Sequence, residues 1–258
     1  MDSTIKVIEF GEVDSTNSEA MRQAGQGERG PVWLRADRQV TGRGRSGREW
    51  SSPVGNLSAT LLFEPKCSFE VLHQISLVTG IAVYEAVAET FLNAGLSQPG
   101  GLRLKWPNDI LIGQAKLGGI LIETSVFNNE IVAAIGCGLN IAIAPEVEGR
   151  VITRLQDFGV TPTASEFLET LSGRLKHWLA VWARGERFPA IHDAWLKRAG
   201  AQGEEMSIHT AEGKMVGYFQ GIDQDGALLM ADHAGNVRRF QYGDVVLMRP
   251  KHGPDRTG

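Results

Sequence analysis

Between Gly42 and Trp50 the chain reads Gly-Arg-Gly-Arg-Ser-Gly-Arg-Glu-Trp. Arg43, Arg45 and Arg48 place three permanent positive charges close together, and Gly42, Gly44 and Gly47 leave the backbone free to approach a ligand. The planar donor fork of a guanidinium suits carboxylate and phosphate. Fixing such a loop costs about 1–2 kcal/mol per residue. Charge-assisted hydrogen bonds of roughly 1.5–3 kcal/mol each offset that cost only when an anion is present. The segment is therefore expected to order as a lid over an anionic ligand. An arginine-glycine stretch that binds nucleic acid, or a solvated loop, would read the same on this motif alone. It is not an ATP P-loop, because Gly-x-x-x-x-Gly-Lys-Ser/Thr is absent.

Four further segments carry polar chemistry. In Arg103-Leu-Lys-Trp-Pro-Asn-Asp109, strand alternation puts Arg103 and Lys105 on one face. A lysine inside a strand meets either a substrate anion or a neighbouring carboxylate. In Lys116-Leu-Gly-Gly-Ile-Leu-Ile-Glu123, Gly118 and Gly119 interrupt an apolar strand. They mark a close approach by another group, or a bulge or corner kink. Gly136-Cys-Gly-Leu-Asn140 is a strand ending in glycines and an amide, which a tight turn would also explain. Asp14-Ser-Thr-Asn17 fits a helix cap, and its exposed N–H groups could also receive a polar ligand.

The elements that hold these segments follow from periodicity. Lys6–Phe10, Val32–Ala36 and Leu57–Phe63 read as strands, with a helix between the first two. Thr16 and Glu19 have capping-box spacing for that helix, and it should stop near Gly25. Apolar residues at helical spacing predict a long helix over Val71 to Asn93. Leu102–Trp106 reads as a strand stopped by Pro107. Ile110–Ile112 and Leu117–Glu123 form a hairpin pattern, and Ile131–Ile135 a further strand. Helices are predicted over Ala164–Trp182, with Thr163 and Glu166 at capping-box spacing, and over Ala190–Ala199. From Met206 to Met248 short β-rich runs are punctuated by turn signals, which predicts a small barrel. The fold class is α+β, a mixed sheet with helices on one side. The expected division is 1–203, 204–250 and a disordered tail at 251–258.

The chain has 258 residues and a formal net charge of -4, so nothing global draws it to nucleic acid or to an anionic membrane. Its start lacks a signal-peptide pattern, and no uninterrupted apolar stretch suggests a bilayer span. Two scattered cysteines, Cys67 and Cys137, suit a reducing cytosol, with Cys137 a buried thiol. DNA and membrane are not expected partners, and the expected compartment is the cytoplasm.

Taken in order, Ser-Thr-Asn, Gly-Arg-Gly-Arg-x-Gly-Arg-x-Trp, Lys-Trp-Pro-Asn-Asp, Lys-Leu-Gly-Gly-Ile-Leu-Ile-Glu and Gly-x-Gly-Leu-Asn resemble the biotin–protein ligase family, from about Glu9 to Met248. The resemblance implies a catalytic part related to class II aminoacyl-tRNA synthetases and a small C-terminal SH3-like barrel. It implies a C–N-bond-forming ligase that converts biotin and Mg-ATP to biotinyl-5′-AMP. Biotin then passes to a lysine of a biotin carboxyl carrier protein, typically of a carboxylase such as acetyl-CoA carboxylase. Many bacterial members carry an N-terminal helix-turn-helix. Here the first strand begins near residue 6, so the monofunctional type is expected, as monomer or homodimer.

By the same resemblance Ser15, Thr16, Asn17, Gln39, Gly118 and Gly119 belong to the biotin end. Arg43, Gly44 and Arg45 wrap the acyl-phosphate, and Lys105 lies at the carboxylate and α-phosphate. Arg45, Arg48, Trp50, Asn108, Lys116 and Asn140 belong to the nucleotide. Magnesium binds mainly through phosphate oxygens, with Asp109 a further candidate. A lipoate–protein ligase is the nearest rival. A nucleic-acid module using Arg43–Arg48 is the rival from another class.

Overall fold

The computed structural model describes residues 5–248, so the expected tail lies outside the described residues. Seven strands form the main sheet: β1 (Lys6–Val13), β2 (Val32–Gln39), β3 (Leu57–Phe63), β4 (Leu102–Lys105), β5 (Asp109–Ile112), β6 (Ala115–Phe127) and β7 (Glu130–Leu139). They lie in the order β1-β2-β3-β7-β6-β5-β4. Only β1 and β2 run parallel. Helix α1 (Thr16–Gly25) joins them, as a parallel pair requires a crossover.

Strand residues alternate between two apolar clusters. Trp33, Leu61 and Ile135 face one, while Leu34, Leu62 and Ala134 face the other. The first cluster is covered by α2 (Gln74–Asn93), α3 (Ala164–Trp182) and α4 (Phe188–Leu196). The second is covered by α1, through Ala20 and Ala24. Helices therefore lie on both faces, not one, because the short α1 needs only a small apolar patch. Helix α2 starts at Gln74, three residues later than its apolar spacing suggested, after a 3-10 turn at Phe69–Val71.

By length and mean hydropathy α2 would pass for a bilayer span, contrary to the sequence reading, yet it is a core helix. Ile75, Val78, Ile81, Ala82 and Ala86 are fully buried. Each large aliphatic group among them contributes roughly 1.5–3 kcal/mol of burial.

Strands β8 (Glu205–Thr210), β9 (Gly213–Ile222), β10 (Leu228–Ala231), β11 (Val237–Phe240) and β12 (Asp244–Leu247) form an antiparallel sheet in the order β11-β10-β9-β8-β12. The apolar core does not break at residue 204. Met206, Ile208, Leu228 and Val245 belong to the same cluster as Trp106 and Trp195. Strand β12 thereby lies beside the end of β4, where Lys105 donates to the Val245 carbonyl at 3.0 Å.

Candidate active site

A cavity of about 270 Å³ opens between the C-terminal ends of α1's flanking strands, the arginine loop and β12. Every residue assigned from the sequence lines it except Gly118 and Asn140. Its two ends differ in chemistry.

One end is neutral and polar. Ser15 precedes α1 in extended conformation and its side chain makes no capping bond, so the expected capping box at Thr16 and Glu19 does not form. Thr16 instead turns inward. Its N–H and hydroxyl approach Gln39 Oε1 at 2.8 and 3.0 Å, and Gln39 Nε2 donates to Ser52 Oγ at 2.7 Å. Behind them Thr60, fully buried, lies 2.8 Å from the Thr16 hydroxyl and 2.6 Å from Asn17 Oδ1. Asn17 Nδ2 donates to Glu123 at 2.8 Å and to the Leu121 carbonyl at 3.3 Å. A Cβ on Gly136 would stand 2.5 Å from Asn17 Oδ1, so glycine is required for the amide to lie flat on β7. The side chains of Thr16, Asn17 and Gln39 are engaged with one another and with the sheet. The Ser15 hydroxyl has no protein partner among the described residues.

The other end is charged. Lys105 and Lys116 grip one carboxylate, Asp109, at 2.6 and 2.5 Å, with side chains 12–18% exposed. Burial would raise the Asp109 pKa, but the two ammonium groups outweigh it and hold the carboxyl well below the usual carboxylate range. Burial lowers the pKa of Lys116, and Asp109 opposes that shift. The Trp50 ring lies 5.3 Å from Lys116 Nζ and covers Gly138, where a Cβ would stand 2.5 Å from the indole. Glycines 136 and 138 therefore sit inside β7 and give way to side chains above them. They do not form a turn.

The arginine loop is an arch across the cavity. Arg43 and Glu49 bridge, Gly44 N–H donates to the Arg48 carbonyl at 2.7 Å, and Trp50 N–H donates to the Gly42 carbonyl at 2.9 Å. Its arginines reach different supports: Arg43 reaches Glu123, Arg45 the Gly243 carbonyl and Arg48 the Asp244 carboxylate. Burial lowers the Arg45 pKa, with Asp244 and Asp109 opposing.

Four of the assigned residues make contacts directed at the scaffold. Asn140 is buried and braces the chain after β7, through Asn56 at 3.3 Å and the Thr153 carbonyl at 3.1 Å. Gly118 accommodates the neighbouring strand, since a Cβ there would stand 2.7 Å from the Gly138 carbonyl oxygen. Asn108 lines the cavity but its amide donates to the Ile120 carbonyl at 2.7 Å, so it supports β6. Both Asp109 oxygens are engaged by lysines, for which it is the counter-ion. No cluster of three or more metal-ligating side chains occurs among the described residues. Cys137 is a buried free thiol pushed up to about 12 by desolvation, which rules it out as a nucleophile.

Sequence reasoning missed Arg150, Asp244, Val245 and Thr60. Arg150 and the β12 residues join the wall only through tertiary folding. Thr60 looks like any polar residue in an apolar strand, and no local signal distinguishes it.

Comparison with known proteins agrees with this geometry. Residues 10–140 match the Biotin/lipoate A/B protein ligase family. A biotin–[acetyl-CoA-carboxylase] ligase of Paracoccus denitrificans is 37% identical over 235 residues, which is 86% of this chain and 92% of the relative. The bifunctional ligase/repressor BirA of Escherichia coli is 29% identical over 241 residues, 91% of this chain and 72% of the relative. Among solved structures, the biotin protein ligase of Aquifex aeolicus in complex with biotin and ATP superposes with a TM-score of 0.78 at 30% identity. That match covers 95% of this chain and 99% of the other. The Leishmania major enzyme in complex with biotinyl-5-AMP gives a TM-score of 0.64 at 25% identity over 93% of this chain and 100% of that one. By sequence, fold and site, the chain belongs to the Biotin/lipoate A/B protein ligase family.

Proposed function

We propose that this chain is a biotin–protein ligase, which activates biotin with ATP and passes it to a lysine of a biotin carboxyl carrier domain. One observation carries this reading. A neutral hydrogen-bonding end and an end rich in cations share one cavity, as a molecule with a polar uncharged head and a carboxylate tail requires.

In the first step a carboxylate oxygen bonds to the α-phosphorus of ATP, the bond to the bridging oxygen breaks, and pyrophosphate leaves. Two anions must meet, so fixed positive charge is needed where they meet. Lys105 spends bonds on Asp109 and Val245 and keeps one N–H for the oxygens in transit. Arg43, Arg45 and Arg48 neutralise the phosphates, and the Trp50 ring supplies a surface for the adenine. In the second step the acceptor amine bonds to the acyl carbon and AMP departs. Both steps depend on positioning. The arch over the cavity keeps water from the mixed anhydride.

At the neutral end, Ser15 and the N–H groups at the start of α1 meet the ureido head. Magnesium would arrive on the triphosphate and offset its charge there, since the carboxylate between the two lysines is committed to them. Residues 1–203 carry the chemistry in this reading, and the portion from 204 onward closes the phosphate end through β12.

The test is exchange of labelled pyrophosphate into ATP. Exchange that requires biotin and is not supported by lipoate is the expected result. Exchange with lipoate alone would transfer the reading to lipoate activation, and exchange with neither acid would overturn it.

A further inference from the structure

Glu123, inside β6 where the apolar run of that strand stops, joins both halves of the site. Glu123 stands on β6 opposite Ala134. Its carboxylate accepts from Asn17 Nδ2 at 2.8 Å and from Arg43 Nη2 at 3.2 and 3.4 Å. Among the described residues it is the one carboxylate in direct contact with both the buried amide of the neutral end and a cation of the arch.

Proton accounting shows what that contact imposes. An ionised carboxylate only accepts, so it fixes the NH₂ side of Asn17 toward itself and turns Oδ1 toward Thr60. Oδ1 cannot donate. The single Thr60 proton must therefore go to Asn17 at 2.6 Å. The Thr60 oxygen is then left as an acceptor facing the Thr16 hydroxyl at 2.8 Å, whose single proton goes either to it or to Gln39 Oε1 at 3.0 Å. Glu123, together with the Leu121 carbonyl, thus sets the direction of the Asn17–Thr60 bond, and Thr60 in turn contacts Thr16 at the start of α1. At the other side Glu123 engages only Nη2 of Arg43, so the remaining guanidinium donors are left to an anion in the cavity.

We infer that Glu123 is a positioning residue for the ligation reaction: it orients Asn17 and, through Thr60, Thr16, while tethering Arg43 of the arch, so that ligand held at the neutral end and closure over the phosphate are mechanically linked. This rests on the biotin-ligase reading. The rival explanation is an exposed ion pair, since the two side chains are 44% and 35% exposed and such pairs contribute little to stability. The two accounts differ in what a neutral isostere does.

The experiment compares wild type, Glu123→Gln and Glu123→Leu. Biotin affinity is measured by calorimetry, and retention of preformed labelled adenylate by dilution into unlabelled biotin. Thermal melting reports folding. Glu123→Gln keeps an acceptor for Asn17 but loses the charge that holds Arg43. It is expected to bind biotin within about threefold of wild type and to lose adenylate at least tenfold faster. Glu123→Leu removes both contacts and is expected to weaken biotin binding at least tenfold as well.

A Glu123→Gln protein that retains adenylate as long as wild type overturns the inference. So does a loss in both variants that simply tracks a lower melting temperature. Wild-type protein that forms no adenylate at all would instead overturn the underlying reading, and the inference with it.

Discussion

The two ends of the cavity solve opposite problems. At the neutral end Ser15, Thr16, Asn17, Gln39 and Thr60 carry no charge, and the side chains of the last four are ordered by bonds to one another. At the charged end Lys105 and Lys116 converge on Asp109, and Arg48 on Asp244, so the protein supplies its own anions to keep cations in place. The first arrangement gives shape and directional selectivity. The second gives field strength, at the cost of desolvating charges. A variant at one end should therefore change a different observable from a variant at the other.

The sharpest separation should come from Lys105. In Lys105→Ala, biotin-dependent pyrophosphate exchange should fall about 10²–10³-fold, the scale on which a charge-stabilising donor acts. Circular dichroism should change little, and biotin binding should fall by a much smaller factor than exchange. Exchange near the wild-type rate would remove Lys105 from its assigned role. Loss of biotin binding on the same scale would erase the division between the two ends.

Asp109→Asn attacks the charged end through its counter-ion and should cost about 3 kcal/mol of stability near neutral pH, as breaking a buried ion pair does. The pH dependence gives its signature. The Asp109 pKa is depressed on folding, so its contribution is present above the ordinary value of about 3.9 and is lost as pH falls through the folded value. The folded pKa of Lys116 is also depressed, and without Asp109 it should drop further. A lysine of this kind costs the fold stability while charged, so the variant should recover as pH rises and the lysine sheds its proton. Urea unfolding across pH would show a gap between wild type and variant that is widest between these limits. A gap that does not vary with pH would count against the ion-pair account.

The same contrast explains what could be read from the chain in advance. The charged end is written in short motifs: three arginines among glycines, and Lys105 and Asp109 bracketing Trp-Pro-Asn, are visible without a structure. The neutral end is dispersed over α1, β2, β3 and β6. Ser15-Thr-Asn17 reads locally as a helix cap, although only the fold shows that Thr16 and Asn17 spend their side chains on Gln39, Thr60 and Glu123. Strand and helix identities follow from periodicity; the expected β6 stops at Glu123, where the apolar run gives way to polar residues, while the expected β7 stops at Ile135, where Gly136 and Gly138 interrupt the apolar run. Those glycines are strand residues here because Trp50 and Asn17 lie over them, a tertiary reason that periodicity cannot carry. Asn140 is the complementary case, since its amide serves the loop after β7 and no local pattern announces that.

Thr60→Val probes the neutral end alone, since the residue is fully buried and does not line the cavity. Removing the hydroxyl leaves Asn17 Oδ1 and Thr16 without their partner, at about 1–3 kcal/mol, so the biotin dissociation constant should rise roughly five- to hundredfold. Exchange at saturating biotin, and its dependence on ATP, should stay close to wild type. Unchanged biotin affinity by calorimetry would mean that the buried hydroxyl is not part of the recognition network. An equal loss in apparent ATP affinity would mean that the two ends are not separable.

The smallest effect is expected where the charged end's chemistry is repeated on the surface. Asp14 and Arg22 pair at 2.8 Å beside the neutral end, but both side chains are nearly half exposed. The Arg22 guanidinium holds the Asp14 carboxyl at about 2, with the Ser15 N–H assisting and burial opposing. The sign is the same as for Asp109: stability is present above the unfolded value and is lost as pH falls toward 2. Its size differs, because solvent screens an exposed pair to at most about 1 kcal/mol. Asp14→Asn should therefore lower the melting temperature by less than about 4 °C near neutrality, and the difference should vanish in acid. Biotin binding should be unchanged, since the cavity side of α1 keeps its own bonds. A loss as large as that of Asp109→Asn would show that geometry of pairing, and not burial, sets the strength of both carboxylates. That outcome would remove the physical basis on which the charged end is distinguished from the surface.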